Sequence, residues 1–299
     1  MNKEQFTMKL VNNLKETLGN EYFVRTEHVT KNNGVELLGV VIGKQNQTVC
    51  PNIYVESFYS QFRLGRPLES ITREFISIYH KNNTMEDFDL VLALNQAHDK
   101  IFYKLINTEA NQILVDNAPH KTWNDLSVIY YADFGKDEEN CHKTLVINNL
   151  ICELLGLSVD ELDRIARHNT ERLMQAQIQG ISSLMEKAYG FSNGCEPDEQ
   201  LADDELFYIL SNTEKFYGAS VVLYRNVLSD FAKRMNVENV YIIPSSIHEM
   251  LLIPDRGNMS VQELNTMICA VNDSELEPEE VLSSNCYIYT RQTNLISVA

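Results

Sequence analysis

The stretch that decides the fold is residues 206–254, LFYILSNTEKFYGASVVLYRNVLSDFAKRMNVENVYIIPSSIHEMLLIP. A short apolar run predicts a strand, and a turn then leads through Gly218-Ala219-Ser220 into a second apolar run. A helix follows, and the apolar runs 240–243 and 250–253 flank the turn residues 244–249, as in a β-hairpin. The stretch therefore predicts a compact lobe of strands and helices.

The N-terminal part shows the same kinds of pattern. Phe6, Leu10 and Leu14 recur every four residues and predict a first helix. Two apolar runs then flank Asn33-Gly34, a pair that supplies the positive φ angles of a tight hairpin turn. Strands are predicted again at residues 101–106 and 126–132. The expected class is α+β, with an antiparallel sheet and helices in each of two lobes.

A chain of 299 residues exceeds the usual size of one domain, so two lobes are expected. We predict an N-terminal lobe over 1–156, a helical connector over 157–194 and a C-terminal lobe over 195–299. The connector begins at Ser158, whose hydroxyl forms a capping box with Glu161, and its helical pattern continues past Leu173 toward Met185. Two further predictions are a helix at 85–98 and an acidic linker at 196–205.

Composition excludes several classes of protein. The net charge is −17, and residues 151–299 hold 10 Lys and Arg against 23 Asp and Glu. Such a surface repels phosphate backbones, so direct nucleic-acid binding is not expected. Solubility is the ordinary role of such charge, and binding to a basic protein or imitation of a nucleic acid's charge are the alternatives. No apolar run reaches roughly 18 residues and no signal-like segment follows Met1, so neither a membrane span nor secretion is predicted.

The chain shows no assembled cofactor motif. Its 12 glycines form no phosphate-binding loop and no dinucleotide-binding pattern, so no cofactor is predicted. The six cysteines are widely spaced without a C-x-x-C pair, which indicates reduced, mostly packed thiols. Cys141-His142, which follows three carboxylates, resembles a metal-binding pattern, but it lacks the second ligand pair of a zinc site, and a solvated turn is the alternative.

The most specific set of chemical groups lies at the predicted hairpin tip: Ser245, Ser246, His248 and Glu249. Ser246 and His248 share a face in an extended conformation, as a hydroxyl nucleophile and its base require. Serine is also an ordinary turn residue whose hydroxyl satisfies nearby amides. Catalysis and turn chemistry, or contact with a partner, therefore remain alternatives. His120 and Trp123 are further candidates for a pocket, with a core or edge role as the alternative.

Two sets of residues form a pattern that extends beyond local structure. The first set is residues 125–131 and 156–162, together with Ala166 and Asn169-Thr170, and the second is residues 218–223, 241–246 and 250–253. Together they resemble an uncharacterised bacterial family with a domain of unknown function, number 5688, known from anaerobic gut bacteria, in which the hairpin Pro-Ser-Ser-Ile-His-Glu recurs. The resemblance covers nearly the whole chain and implies this architecture in a bacterial cytoplasm.

A more distant likeness, to another uncharacterised bacterial family, covers the part after Asp125. There the equivalent hairpin resembles Pro-Ser followed by Arg-Asp, so Ile247-His248-Glu249 is a departure. Neither family supplies an activity or catalytic residues.

The expected function is that of a non-enzymatic, cytoplasmic protein-binding or adaptor protein. The acidic C-terminal half favours a basic partner, and the resemblance implies a link to mobile elements or defence. The alternative is a hydrolase that uses Ser246 and His248 at the hairpin tip. No oligomeric state follows from the sequence.

Overall fold

A computed structural model describes residues 1–45, 47, 50–82, 98–136, 140, 142–182 and 205–299. The chain divides into two compact units, Met1–Ala93 and Leu94–Ala299. Helices and antiparallel sheets occur in both, so the predicted α+β class is confirmed. Except for His98 and Glu205, the helix predicted at 85–98 and the linker predicted at 196–205 lie outside the described residues.

The first unit packs helices on a three-stranded antiparallel sheet. Its sheet has the order β1-β2-β3. The elements are α1 (Lys3–Leu18), β1 (Tyr22–Thr30), β2 (Glu36–Lys44), β3 (Asn52–Tyr54), α2 (Glu56–Arg63) and α3 (Leu68–Asn82). The predicted stripe of α1, Phe6, Leu10 and Leu14, is fully buried in the core. Between β1 and β2, Asn33 and Gly34 adopt φ angles of 59° and 70°, which confirms the predicted hairpin turn.

The second unit begins with a four-stranded antiparallel sheet. Its strands are β4 (Ile101–Asn107), β5 (His120–Trp123), β6 (Leu126–Lys136) and β7 (His142–Val146), and a short helix α4 (Gln112–Asn117) precedes β5. The central strand β6 pairs with the other three. After it come α5 (Asn149–Leu154) and α6 (Val159–Leu173), and the capping box of Ser158 and Glu161 is present as predicted.

The helix that begins after Ser158 is shorter than predicted. It ends at Leu173, and β8 (Ala176–Gly180) follows, so the continuation toward Met185 is wrong. Met174, with φ −118° and ψ 71°, lies outside helical geometry, and its side chain is buried against Phe102 and Tyr131. The next residues form a strand because they pair with a segment that comes roughly thirty residues later.

The stretch 206–254 folds largely as predicted. It contains β9 (Tyr208–Asn212), a 3₁₀ turn (Gly218–Leu223), α7 (Val227–Arg234), β10 (Asn239–Ser246) and β11 (Glu249–Pro254). Then come α8 (Val261–Ser274), β12 (Tyr287–Thr290) and a strand that the sequence did not predict, β13 (Leu295–Val298). The sheet has the order β13-β12-β10-β11-β9-β8. In the described part of the chain, no helix combines the length and apolar character needed to cross a bilayer.

The two sheets that follow Leu94 belong to one compact unit. The boundary between the two units therefore lies at a different place from the boundaries of the predicted lobes, 1–156 and 195–299. Asp125, just before β6, accepts hydrogen bonds from Tyr287, Ser283 and Asn285, at 2.6, 2.7 and 3.0 Å. The helix α6 packs on β4, where the Asn169 amide donates to the Ile101 carbonyl at 3.0 Å. This helix is part of the core, whereas the sequence analysis assigns it to a connector between lobes.

A buried carboxylate fixes α6 to β5 and β6. Asp163 accepts hydrogen bonds from Lys121 Nζ, Arg167 Nε and Tyr130 Oη, each at 3.0 Å. Burial alone would raise the pKa of Asp163, but the hydrogen bonds from Lys121 and Arg167 outweigh it and hold that pKa below its usual value. The carboxylate of Asp163 is therefore ionised at neutral pH, where it accepts hydrogen bonds from two cations and a phenol.

Replacing Asp163 tests this network. We expect Asp163→Asn to lower the free energy of unfolding by about 3 kcal/mol, because both cations lose their buried counter-charge. Trp123, the only tryptophan, lies in the same unit, so its fluorescence during urea unfolding is the readout. Asp160→Asn is the matched control: Asp160 also lies 3.0 Å from Lys121 Nζ but is 90% exposed, and its loss costs below about 1 kcal/mol. Equal losses would contradict the buried role.

The same carboxylate makes stability depend on pH. Its pKa is lower in the folded than in the unfolded chain, where it is about 3.9. The contribution of Asp163 is therefore complete well above that value and is lost as the pH falls through the folded pKa. We expect the stability difference between wild type and Asp163→Asn to shrink between about pH 5 and about pH 2. A difference that urea unfolding shows to be constant would exclude the charge as its source.

Candidate functional site

The hairpin between β10 and β11 is tighter than the sequence predicts. The strands continue to Ser246 and Glu249, which pair with each other, and a bulge lies between Ile243 and Ser246. The Ser246 hydroxyl accepts a hydrogen bond from the His248 backbone amide at 3.0 Å, and Ser246 itself is only 7% exposed. This is the local turn chemistry that serine performs at loop tips.

The imidazole of His248 is directed to other groups. Its Nδ1 accepts a hydrogen bond from the Tyr217 backbone amide at 3.2 Å, so Nε2 carries the proton in the neutral ring. Nε2 lies 3.9 Å from a carboxylate oxygen of Glu280. The structure thus brings Ser246 and His248 together through a backbone amide and a hydroxyl. This arrangement favours turn chemistry over a serine nucleophile with its base.

Burial changes the acid–base properties of the tip. It lowers the pKa of His248, an effect that Glu280 opposes and the positive charge of Lys104 reinforces. For Glu249, burial raises the pKa, partly offset by a hydrogen bond from the Ser245 hydroxyl at 3.5 Å. His248 is therefore a neutral donor at physiological pH, and Glu249 titrates above an ordinary glutamate.

The loop before the 3₁₀ turn is held in an unusual conformation. Tyr217 has a φ angle of 50°, in the left-handed region that bulky side chains rarely adopt. The buried Asn212 amide donates to the Phe216 carbonyl at 2.8 Å, and its oxygen accepts from the Phe216 amide at 3.2 Å. At Gly218, a Cβ would lie 2.4 Å from the His248 carbonyl oxygen. Loop and hairpin therefore approach too closely for any other residue there.

Four rings form a continuous row across this region. His142 stacks on Phe216 with ring centroids 4.1 Å apart, and Phe216 contacts Tyr217 at 4.0 Å. Tyr217 in turn lies parallel to His248, at 5.7 Å. Tyr131 meets the Tyr217 ring edge-on from the sheet below. Phe216 and Tyr217 are partly exposed, so the row presents aromatic surface beside the hairpin tip.

Lys104 is a residue of this region that the sequence analysis missed. It lies on β4, is 8% exposed, and places Nζ 4.0 Å from the centre of the Tyr217 ring. The signal was present in the sequence, because one lysine interrupts the apolar strand Ile-Phe-Tyr-Lys-Leu-Ile. Its partner could not be inferred, because Tyr217 is more than a hundred residues away in the chain.

His142, from the metal-like pattern, forms a different pair. Its Nδ1 lies 2.6 Å from Asp133 Oδ2, while its Nε2 is buried without a hydrogen-bond partner. Cys141 and the carboxylates at 137–139 lie outside the described residues. Within the described parts, no group of three or more His, Cys, Asp and Glu side chains is placed to hold a metal ion.

The other two candidates are structural. His120 lies with Nδ1 3.0 Å from the Ala118 carbonyl oxygen. The Trp123 ring packs on Tyr287, at 5.2 Å between centroids, where the two sheets of the second unit meet. Both contacts agree with the core or edge role given as the alternative.

A family model described as "Family of unknown function (DUF5688)" matches residues 3–291. This confirms the resemblance to an uncharacterised family seen in the sequence. No curated protein and no solved structure matches the chain. The more distant likeness over the part after Asp125 stays a prediction.

The titration of His248 tests the geometry of the tip. We expect it to titrate below its ordinary pKa of about 6.5. Lys104→Met removes a nearby positive charge and should raise the pKa of His248, whereas Glu280→Gln removes a negative charge and should lower it. Nitrogen-15 NMR of the imidazole measures both. Lys233→Met, at an exposed position, is the control; an equal change in that variant would show that Lys104 does not act locally.

Proposed function

We propose that this chain, which belongs to the DUF5688 family of unknown function, is a non-enzymatic binding protein for a basic protein partner. The observation that carries the proposal is an acidic segment without Lys or Arg, residues 273–280, that is hydrogen-bonded to the hairpin tip. The partly exposed rings of Phe216 and Tyr217 lie beside that tip.

The acidic segment lies at the end of α8 and in the turn that follows. Five of the eight residues at 273–280 are carboxylates, and no Lys or Arg occurs between Arg256 and Arg291. Glu275 and Glu277 are exposed to solvent. A run of carboxylates with no Lys or Arg in the same segment of sequence creates a negative potential that attracts Lys and Arg side chains of a partner.

This segment is held in place against the tip. The Ile247 amide donates a hydrogen bond to the Glu280 carbonyl at 3.0 Å, and the Glu280 carboxylate faces His248. Acidic groups and aromatic rings therefore occupy neighbouring positions on fixed backbone. Tyrosine, together with a desolvated charge contact, is typical of the residues that dominate binding energy in protein interfaces.

The tip itself supports binding over hydrolysis. The hydroxyl of Ser246 accepts from a backbone amide, and His248 Nδ1 accepts from another. Both side chains thus stabilise the shape of the surface, and a preformed surface reduces the entropic cost of association.

The links to a bacterial cytoplasm and to mobile elements or defence stay expectations drawn from the family resemblance.

The test is a charge-neutralising variant, Glu275→Gln/Glu277→Gln/Glu279→Gln. The tagged protein is recovered gently from a lysate of its own host at low salt and examined by native mass spectrometry. We expect a basic protein to co-purify, and the variant to bind it about tenfold more weakly, because each exposed ion pair contributes roughly 0.5 kcal/mol.

The matched control is Glu4→Gln/Glu16→Gln/Glu21→Gln, which changes the net charge equally at exposed positions of the first unit. It should bind the partner like the wild type, and high salt should release the partner from both. Absence of a basic protein at low salt, or equal weakening by both variants, would contradict the proposal.

A further inference from the structure

Lys104 is a charged residue in a buried strand whose other buried residues are all apolar or aromatic. It occupies the middle of β4, between Tyr103 and Leu105, in a strand whose first six residues are all buried. On the neighbouring strand it is paired with Ile129. A buried ammonium group is costly unless a counter-charge or hydrogen-bond acceptors replace its water.

Two partly exposed cations of this unit, by contrast, have a carboxylate partner. Lys121 and Arg167 both reach the carboxylate of Asp163 at 3.0 Å. For Lys104, the contact that the structure gives is the face of the Tyr217 ring, at 4.0 Å. Among the described residues, no carboxylate and no hydrogen-bond acceptor contacts its Nζ. A cation–π contact stabilises an ammonium group but satisfies none of its three N–H donors.

Lys104 keeps a small contact with solvent. The residue is 8% exposed, and Tyr217, whose ring centre lies 4.0 Å from Lys104 Nζ, is only partly buried. The charged end of Lys104 therefore lies beside a partly exposed ring.

Tyr217 and His248 lie next to this ammonium group. The Tyr217 ring forms a wall that is fixed by the hydrogen bond from its own amide to His248. His248 lies parallel to that ring and contributes a neutral imidazole with an N–H at Nε2. The Glu280 carboxylate lies 3.9 Å from Nε2, and its negative charge disfavours an anion at His248 relative to Lys104.

We propose that Lys104, Tyr217 and His248 form a binding site for a small oxyanion, a phosphate or carboxylate group. The anion accepts hydrogen bonds from the N–H donors of Lys104 that point away from the face of the Tyr217 ring, with His248 at the edge of the site. Such a site goes beyond the binding of a basic partner, because it recognises the opposite charge and uses different side chains.

The experiment titrates the protein with inorganic phosphate and, separately, with acetate at constant ionic strength. The amide of Tyr217 and the imidazole of His248 are followed by NMR. We expect saturable shifts in the wild type with at least one anion. Lys104→Met should weaken binding roughly tenfold or more, whereas Lys104→Arg, which keeps the charge, should retain it. Lys233→Met, at an exposed lysine, should bind as the wild type does.

The two titrations separate the sources of the anion. Saturation by phosphate alone indicates a phosphoryl ligand, by acetate alone a carboxylate, and by both a general oxyanion site. No saturable response to either anion would overturn the proposal, as would equal binding by Lys104→Met and wild type. Lys104→Arg keeps the test valid if Lys104→Met unfolds. The Gln variant of residues 275, 277 and 279 should retain the response, which distinguishes this site from the partner surface.

Discussion

The carboxylate of Asp125 joins the two sheets of the second unit, and the candidate site depends on that junction. Donors from Tyr287, Ser283 and Asn285 converge on it at 2.6 to 3.0 Å. Hydrogen bonds to a charged acceptor are stronger than neutral ones, and sliding one sheet past the other would leave the carboxylate without its donors. The sheets therefore keep one relative position, which places β4 and its Lys104 beside the loop that precedes the 3₁₀ turn.

That loop is strained, and the strain is offset locally. A tyrosine in the left-handed region costs roughly 1 to 2 kcal/mol, and such strain persists only where the surroundings determine the conformation. Here Asn212 makes two hydrogen bonds to Phe216, and His248 accepts from the Tyr217 amide. The hairpin tip thus serves as the template that holds Tyr217, and its own serine hydroxyl completes the turn.

The sequence predicted what local patterns determine. The hairpins, the capping box at Ser158 and most helices follow from periodicity and turn residues, and they are present. The strand β8 was missed because its few residues carry no strong signal and take their shape from pairing with β9. The residues of the tip were identified, but their partners were not, because Tyr217 and Lys104 meet through pairings that are distant in sequence. Ser246 and His248 are close in the chain, which suggested a contact between their side chains. In the turn, however, the Ser246 hydroxyl accepts a hydrogen bond from the backbone amide of His248.

The acidic surface and the buried lysine act over different distances, so they can operate together. The field of the carboxylates at 273–280 extends into solvent and is screened over about 8 Å at physiological salt. It therefore governs the approach of a large basic molecule and is sensitive to salt. The Lys104 ammonium acts at contact distance in a mostly buried position, where screening is weaker. A small anion can reach Lys104 despite the net charge of −17, because contact energy with one partly desolvated cation outweighs a screened repulsion.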